Sequence, residues 1–202
     1  ARRQRQMCIR DRFNTQIGIV REDLAHMHED FHFENLSGNK WRKLKYNLEE
    51  AQKQGFKRIL TFGGAFSNHI AATAAAGKFY GFETLGIIRG EAFVPLNPTL
   101  QKAKDLGMNL HYMNRSTYRE KHSDEVLNAL QEKYGPVYII PEGGSNKLGV
   151  KGCSEIVSQI DDSDFDIIAC PVGTGATLAG IINALKPGKH ALGFSVLKND
   201  FD

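Results

Sequence analysis

The most informative stretch of the 202-residue chain reads Leu36-Ser37-Gly38-Asn39-Lys40-Trp41-Arg42-Lys43-Leu44. Apolar residues recur at helical spacing from position 44 to 51, which predicts a helix that stops near Gly55. Ser37 or Asn39 can cap this helix by accepting hydrogen bonds from its first free amides. Lys40 then lies in the first turn, where the helix dipole disfavours a cation. This placement favours a partly desolvated amine that can attack a carbonyl group.

The composition is that of a soluble globular protein, with 41% hydrophobic and 24% charged residues. The net charge of +3 is small, and arginines are concentrated in the basic tail at residues 1–12, which we interpret as a non-native extension. The sequence therefore predicts no nucleic-acid partner. No apolar run reaches membrane-spanning length, so we also expect no membrane partner.

The three cysteines are scattered at Cys8, Cys153 and Cys170 and form no CxxC pair or zinc-binding spacing. This usage is typical of a reducing cytoplasm with free thiols. Histidines and acids alternate over residues 24–34, a pattern that could ligate a metal but is more typical of a solvated connector. We assign no metal.

Strand and helix patterns alternate along most of the chain. The predicted strands cover residues 16–20, 58–62, 84–89, 110–113, 137–140, 167–170 and 192–196. The predicted helices cover residues 68–78 (closed by Gly77), 99–106, 116–134, 147–160 and 177–185. This alternation predicts right-handed βαβ units, and hence a three-layer α/β fold with mostly parallel sheets and flanking helices. A polar loop at residues 161–164 suggests a small domain at 46–160, between the two parts of a larger domain at 13–45 and 161–202.

A second motif lies where the strand at 58–62 gives way to a helix, and reads Gly63-Gly64-Ala65-Phe66-Ser67-Asn68-His69. Paired glycines permit close approach of a ligand. The carboxyl end of a parallel sheet is where α/β folds bind ligands, so Ser67, Asn68 and His69 are candidate contacts. The alternative is that Ser67 or Asn68 only caps the helix.

A third motif follows the strand at 167–170 and reads Pro171-Val172-Gly173-Thr174-Gly175-Ala176-Thr177. Free amides at a helix start, glycines and two threonine hydroxyls can together hold a phosphate. The motif is neither a Walker loop nor a complete GxGxxG, and a glycine turn used for packing alone remains open. Together, the Lys40 amine, the Asn68 amide and this loop match the aldehyde, the 3-hydroxyl and the phosphate of pyridoxal 5'-phosphate.

Three stretches resemble the 1-aminocyclopropane-1-carboxylate deaminase and D-cysteine desulfhydrase family. They are residues 37–44, residues 63–69 and the segment Pro141-Glu142-Gly143-Gly144-Ser145-Asn146. The resemblance implies a pyridoxal-phosphate enzyme with the two-domain, tryptophan synthase β-like fold (fold type II). It also implies that further strands, the group facing the pyridine nitrogen and a tyrosine near the substrate follow position 202. We therefore expect an incomplete large domain with exposed hydrophobic surface.

The family resemblance assigns a role to each candidate site residue. It makes Lys40 the Schiff-base lysine, which also exchanges a proton with the substrate, while Asn68 bonds the 3-hydroxyl of the cofactor. Ser67 meets the substrate carboxylate or helps to start ring opening, and His69 is a close neighbour of the substrate. Lys43 adds charge near the phosphate. The residues expected to hold the phosphate are Gly173, Thr174, Gly175, Ala176 and Thr177, with Ala176 a mild departure from the family pattern.

The predicted function is a pyridoxal-phosphate-dependent lyase or deaminase of amino acid metabolism. Its substrate would be D-cysteine or 1-aminocyclopropane-1-carboxylate, and its products a 2-oxo acid and ammonia, with sulfide from D-cysteine. The resemblance also implies a homodimer. Two alternatives remain: a protein on the same scaffold that binds the cofactor without turnover, and a generic nucleotide-binding α/β domain.

Overall fold

The structure is a computed structural model that describes residues 8–10, 16–20, 38–161, 163 and 165–196. The histidine-rich segment and Ser37 lie outside these described residues. In the basic tail lies β1 (Cys8–Arg10). It pairs antiparallel with β2 (Gln16–Gly18), which follows the tail, and the sequence did not predict this pairing.

Four parallel strands form the larger sheet, here called the four-stranded sheet. They are β3 (Arg58–Gly63), β4 (Glu83–Arg89), β5 (Asn109–Met113) and β6 (Tyr138–Ile140), in the spatial order β5-β4-β3-β6. Every residue of β3 after Arg58 is buried, and so are the five central residues of β4. Continuous apolar runs of this kind are typical of parallel strands that are covered on both faces.

Helices cover both faces of the four-stranded sheet. They are α1 (Gly38–Lys53), α2 (Asn68–Tyr80), α3 (Pro98–Asp105), α4 (Arg115–Arg119) and α5 (Asp124–Tyr134). On one face Leu60 and Phe62 pack with Tyr118 of α4, and on the other Ile59 packs with Leu44 of α1. The layer around Ile59 also includes Ala72, Ala75 and Ala76, so it packs α1 and α2 on the same face of the sheet.

The second parallel sheet, here called the two-stranded pair, consists of β7 (Ile167–Val172) and β8 (His190–Ser195). Helix α7 (Ala176–Ala184) connects the two strands, and α6 (Lys147–Ser154) packs between α1 and α7. Glycines permit this close packing: a Cβ on Gly152 would lie 1.8 Å from the Arg42 carbonyl oxygen, and one on Gly180 2.5 Å from Cys153 Cβ. The helices thus carry the two-stranded pair against α1.

The α/β fold with parallel sheets is confirmed, and three predicted helix boundaries are wrong. Gly77 does not close α2; the helix continues to Tyr80 and ends at Gly81, whose φ of 74° is left-handed. Gly77 is instead a packing residue, since a Cβ there would lie 2.2 Å from Thr84 Cγ2.

The other two wrong boundaries are helices that the sequence pattern ran together. The predicted helix at 116–134 is split because Ser123 caps α5, its Oγ accepting a hydrogen bond from the Val126 amide at 3.3 Å. The predicted helix at 147–160 ends at Ser154 and is followed by a 3-10 turn, Val157–Gln159. In the parts of the chain that the structure covers, no helix has both the length and the hydrophobicity needed to cross a membrane.

Candidate active site

The first element of the site is a pair of lysines one turn apart on α1. Lys40 is half-buried and Lys43 is buried, with 3% of its surface exposed. Burial lowers the pKa of Lys40. Burial, followed by the positive charge of Lys40, lowers the pKa of Lys43 to about 8 from its ordinary value of 10.5. A desolvated lysine with a lowered pKa supplies the neutral amine that attacks a carbonyl.

The start of α1 is tied to the start of α7. The Asn39 side chain donates a hydrogen bond from Nδ2 to Thr177 Oγ1 at 3.2 Å. Asn39 lies inside the helix, which begins at Gly38, so of the two predicted caps Asn39 is wrong, and Ser37 lies outside the described residues. Gly38, with a φ of 67°, turns the chain into the helix one residue before Asn39. The Asn39 side chain therefore does not cap α1 but bridges α1 and α7. The bridge places the start of α1, which bears the lysine pair, next to the glycine-rich loop at residues 173–177.

A clamp at the Glu155 carboxylate ties α1 to the segment after α6. Glu155, which directly follows α6, accepts hydrogen bonds from Lys45 Nζ at 2.8 Å and from the Tyr46 hydroxyl at 2.5 Å. The same carboxylate lies 3.6 Å from the guanidinium of Arg42, which is only 5% exposed and also donates to Gln159 Oε1. A buried guanidinium with two acceptors is held in one place, and it holds α1 with it.

The turn from β3 into α2 presents the second motif. Ser67 caps α2, with its Oγ accepting a hydrogen bond from the Ile70 amide at 3.3 Å. Gly63 is required here, because a Cβ would lie 2.5 Å from Ile70 Cγ1 and 2.8 Å from Ser67 Oγ. Asn68 is exposed at the first position of α2. The Ser67 hydroxyl keeps its proton for a ligand, since in the cap it only accepts.

His69 lies beneath this turn and is 2% exposed. Its Nε2 is 2.9 Å from Thr61 Oγ1, whereas its Nδ1 is buried with no hydrogen-bond partner among the described residues. Burial, and then the charges of Lys40 and Lys43, lower the pKa of His69 to about 3. The imidazole is therefore neutral at physiological pH. Thr61, a buried hydroxyl in an otherwise apolar strand, was not singled out from the sequence.

The glycine-rich loop runs from the end of β7 into α7. Gly175, with a φ of 82°, occupies the N-cap position of α7, and no side chain caps the helix there. The first amides of α7 are therefore free of a side-chain acceptor and carry the positive end of the helix dipole. A Cβ on Gly173 or Gly175 would meet nothing within 4 Å, so the loop is open on that side.

The 3-10 turn Glu142–Gly144 lies between the Lys43–His69 region and the glycine-rich loop. A Cβ on Gly143 would lie 2.8 Å from Thr174 Oγ1, and one on Gly144 would lie 2.9 Å from Lys43 Cβ and 3.4 Å from His69 Cε1. Ser145 follows the turn and donates a hydrogen bond from Oγ to the Thr174 carbonyl oxygen at 3.0 Å. These residues belong to the stretch at 141–146 that resembles the family, but no local pattern assigned them a role.

The donors gathered here fit a phosphorylated aldehyde. Two lysine amines on α1 and the uncapped amides of α7 supply positive charge, and Thr174 and Thr177 add neutral hydroxyls to the loop. A doubly charged phosphate suits such a donor set, and an aldehyde suits a desolvated amine. No cluster of three or more potential metal ligands occurs in the described ranges, and the prediction of no metal stays a prediction.

Comparison with known proteins adds independent findings. The family model described as pyridoxal-phosphate dependent enzyme matches residues 18–197. The bifunctional D-cysteine desulfhydrase/1-aminocyclopropane-1-carboxylate deaminase of Arabidopsis thaliana, named as mitochondrial, is 35% identical over 204 residues, which cover 90% of this chain and 49% of that protein. The D-cysteine desulfhydrase of Klebsiella pneumoniae subsp. pneumoniae is 25% identical over 205 residues, covering 95% of this chain and 60% of the relative.

Solved structures agree with this similarity. An ACC deaminase homologue superposes with a TM-score of 0.70 and 28% identity, over 90% of this chain and 55% of its own. Maize serine racemase, at 22% identity and a TM-score of 0.59, shows the likeness of fold alone. The chain spans about half the length of the relatives it matches.

Proposed function

Because this chain belongs to the family of pyridoxal-phosphate dependent enzymes, we propose that it acts as a deaminase or desulfhydrase on a small amino acid. The observation that carries the proposal is the Asn39–Thr177 hydrogen bond of 3.2 Å. It joins the helix that bears the lysine pair to the uncapped start of α7. An amine and a phosphate-binding loop thereby face the same space, as a phosphorylated aldehyde requires.

In the proposed site, Lys40 binds the aldehyde carbon of pyridoxal 5'-phosphate. Its lowered pKa increases the share of the amine that is neutral and nucleophilic. Lys43 and the residues Gly173, Thr174, Gly175, Ala176 and Thr177 hold the phosphate, through one ammonium, the amides of the α7 N-terminus and two hydroxyls. When bound, the cofactor supplies an electron-accepting ring that stabilises negative charge at the α-carbon of an amino acid.

The start of α2 forms the substrate side of the proposed site. The Ser67 hydroxyl, whose proton is not used in the helix cap, donates to the substrate carboxylate. Asn68 is exposed at the first position of α2 and bonds the 3-hydroxyl of the cofactor. Once its amine is free again, Lys40 moves a proton at the α-carbon, a role that a lowered lysine pKa favours.

The proposed substrates are D-cysteine and 1-aminocyclopropane-1-carboxylate. They are supported by the named activities of the relatives from Arabidopsis thaliana and Klebsiella pneumoniae. Either substrate would yield a 2-oxo acid and ammonia, and D-cysteine would also yield sulfide.

We extend the proposal to location, assembly and domain division. A cytoplasmic location is supported by Cys153 and Cys170, both free thiols. We propose a homodimer by family resemblance, without nucleic-acid or membrane partners. We also propose that residues 46–160 form a small domain between the two parts of a larger one, 13–45 and 161–202.

Turnover of D-cysteine and of 1-aminocyclopropane-1-carboxylate, assayed as sulfide and 2-oxo acid in the presence of pyridoxal phosphate, tests the function. In protein that includes the segment the family resemblance places after position 202, we expect turnover of one of the two substrates and its loss in Lys40→Ala. Lys53→Ala, at the far exposed end of α1, is the matched control and should keep wild-type activity. Full activity in Lys40→Ala would contradict the proposal. Cofactor binding without turnover of either substrate would point instead to a cofactor-binding protein.

A further inference from the structure

The 3-10 turn Glu142–Gly144 is followed by a serine whose side chain the turn itself does not need. The backbone closes the turn, since the Ser145 amide donates to the Glu142 carbonyl oxygen at 3.3 Å. The Ser145 hydroxyl instead donates to the Thr174 carbonyl oxygen, 29 positions further along the chain, at 3.0 Å. The hydroxyl therefore acts on the glycine-rich loop and not on its own turn.

The turn is held at both ends, so Ser145 acts from a fixed point. The side-chain amides of Asn146, the next residue, and of fully buried Asn47 on α1 bond each other in both directions, at 2.7 Å and 3.2 Å. At the other end of the turn, Glu142 forms an ion pair with Lys121 at 3.3 Å. These contacts present the Ser145 hydroxyl to the loop in one position.

The bond from Ser145 fixes the direction of one peptide unit. No described backbone amide donates to the Thr174 carbonyl oxygen, so within the described residues Ser145 is its donor. In a planar trans peptide, the C=O and N–H groups point in opposite directions. Because the Thr174 carbonyl points at Ser145, the Gly175 N–H of the same trans peptide points away from Ser145.

The Gly175 amide belongs to a group of three convergent N–H groups. Gly175 is left-handed, with a φ of 82° and a ψ of −21°, and Ala176 begins the right-handed helix α7. Successive residues of opposite hand turn their N–H groups into one concavity, which binds anions. The amides of Gly175, Ala176 and Thr177 therefore converge. In the ranges that the structure covers, the Gly175 amide donates to no backbone carbonyl.

We propose that Ser145 is a positioning residue for phosphate binding: by holding the Thr174 carbonyl, it keeps the Gly175 N–H turned into the concavity at the start of α7. Without this bond the peptide between Thr174 and Gly175 is free to rotate, since glycine adopts both hands of backbone conformation. The group that suits the concavity is a phosphate monoester, whose charged oxygens accept from several amides at once. The inference rests on the proposed function, which assigns this loop to the phosphate of pyridoxal 5'-phosphate, but its tests measure binding and not turnover.

The first test compares the affinity for pyridoxal phosphate with the affinity for pyridoxal, which has the same aldehyde but no phosphate. Both are measured by absorbance titration on protein that includes the segment expected after position 202. We expect Ser145→Ala to bind pyridoxal phosphate about two- to tenfold more weakly, the range for loss of one hydrogen bond, and to bind pyridoxal as the wild type does. A general structural defect would weaken both, so the ratio of the two affinities isolates the phosphate contacts.

Two control variants accompany Ser145→Ala. Ser145→Thr keeps the hydroxyl and should retain the wild-type ratio of affinities. Ser158→Ala removes an exposed serine hydroxyl with the same kind of bond, to the Glu155 carbonyl oxygen at 2.8 Å, and should leave the ratio unchanged. A wild-type ratio in Ser145→Ala, or a wild-type protein that binds the two aldehydes equally well, would overturn the proposal.

The second test needs no variant. Spectra of wild-type protein labelled with ¹⁵N-glycine give the amide proton shift of Gly175 in the presence of pyridoxal and of pyridoxal phosphate. We expect the Gly175 amide proton to lie further downfield with pyridoxal phosphate, because an N–H that donates to an anion is deshielded. The same shift with both ligands would overturn the proposal.

The outcomes separate this inference from the proposed enzymatic function. A protein that passes both binding tests but turns over neither substrate would contradict the proposed function alone. An active protein whose ratio of affinities does not respond to Ser145→Ala would contradict the role of Ser145 alone.

Discussion

The four-stranded sheet and the two-stranded pair are both parallel, but they differ in how far their apolar side chains are covered. In the four-stranded sheet, Leu60 and Phe62 have no exposed surface. In the two-stranded pair, Ile167 is 59% exposed and Phe194 is 57% exposed. Parallel sheets are normally covered on both faces, so the two-stranded pair has one face without a covering layer among the described residues.

This difference divides the candidate site between two kinds of support. Lys40, Ser67 and His69 lie on elements that pack on a fully buried sheet. The loop from Gly173 to Thr177 depends on α6 and α7, which pack against α1. The half of the site with Lys40, Ser67 and His69, here called the amine half, therefore lies on elements with their own buried core. The half at residues 173–177, here called the phosphate half, is positioned mainly by contacts between helices.

The largest expected effect comes from truncating matched phenylalanines in the two regions. Phe62→Ala removes a fully buried ring and should lower the free energy of unfolding by about 3–5 kcal/mol. Phe194→Ala removes an exposed ring and should change it by less than about 0.5 kcal/mol. Urea unfolding followed by circular dichroism measures both. Equal losses would show that the two-stranded pair is as well covered as the four-stranded sheet.

A second pair of variants probes the helix contacts that support the phosphate half. Gly152→Ala would force a Cβ to within 1.8 Å of the Arg42 carbonyl oxygen and push α6 away from α1. We expect a loss of about 3 kcal/mol, at the upper end for overpacking. Gly173→Ala meets no atom within 4 Å and should leave the unfolding free energy nearly unchanged.

The same glycine pair also separates folding from ligand binding. We expect Gly173→Ala to weaken the binding of pyridoxal phosphate, measured by absorbance titration, because the added methyl group occupies the open side of the loop. Wild-type affinity in a folded Gly173→Ala chain would argue that this loop is a packing turn.

A smaller effect is expected from the clamp between α1 and the segment after α6. Glu155→Gln keeps the size of the side chain but removes the charge that faces Arg42 and Lys45, at 3.6 Å and 2.8 Å. We expect a loss of about 1.5 kcal/mol, typical of a hydrogen bond to a charged group. Glu83→Gln disrupts the exposed Arg58–Glu83 pair of the four-stranded sheet and should cost at most about 0.5 kcal/mol. Thermal unfolding of the two variants measures both losses and shows whether the Glu155 variant loses more.

The last expected effect is a pH slope caused by Lys43. Its pKa is lowered to about 8 from 10.5, so between these values the unfolded chain binds more protons than the folded chain. The free energy of unfolding should therefore rise with pH in this window, by at most about 1.4 kcal/mol per pH unit, and this contribution should be constant below pH 8.

Lys43→Met provides the check on that slope, because it removes one titrating amine and should make the rise less steep, while Lys40, whose pKa is also lowered, still contributes. Exposed Lys78→Met is the control and should keep it. An equally steep rise in Lys43→Met would mean that Lys43 does not contribute to it. Urea unfolding between pH 7 and pH 10.5 distinguishes the two results.

Much of the fold followed from local patterns in the sequence. Apolar runs bounded by glycines gave all four strands of the four-stranded sheet to within one or two residues. The errors lie where helix periodicity continues across a break. Ser123 separates two helices because its hydroxyl caps the second one. Gly77 is a glycine because Thr84 packs against it and excludes a larger residue, not because the helix ends there. Both depend on contacts that a local pattern does not contain.

The candidate site was predictable in its residue types but not in its connections. The motifs pointed to Lys40, to Ser67 through His69 and to the loop at Gly173. The bridge from Asn39 to Thr177 spans 138 positions in the chain, and the link from Thr61 to Ile140 spans 79. Contacts between residues so far apart arise only from the fold, so the roles of Asn39 and Thr61 could not be read from local spacing.

The most direct test of the central claim is to locate the amine that binds the cofactor. The purified chain is mixed with pyridoxal phosphate, its visible spectrum is recorded, and the sample is reduced with borohydride and mapped by peptide mass spectrometry. We predict an absorption band lost on reduction and a phosphopyridoxyl label on Lys40, with Lys43 unlabelled. A label on Lys43, labels scattered over exposed lysines, or no band in the folded chain would contradict the assignment of Lys40 as the anchor.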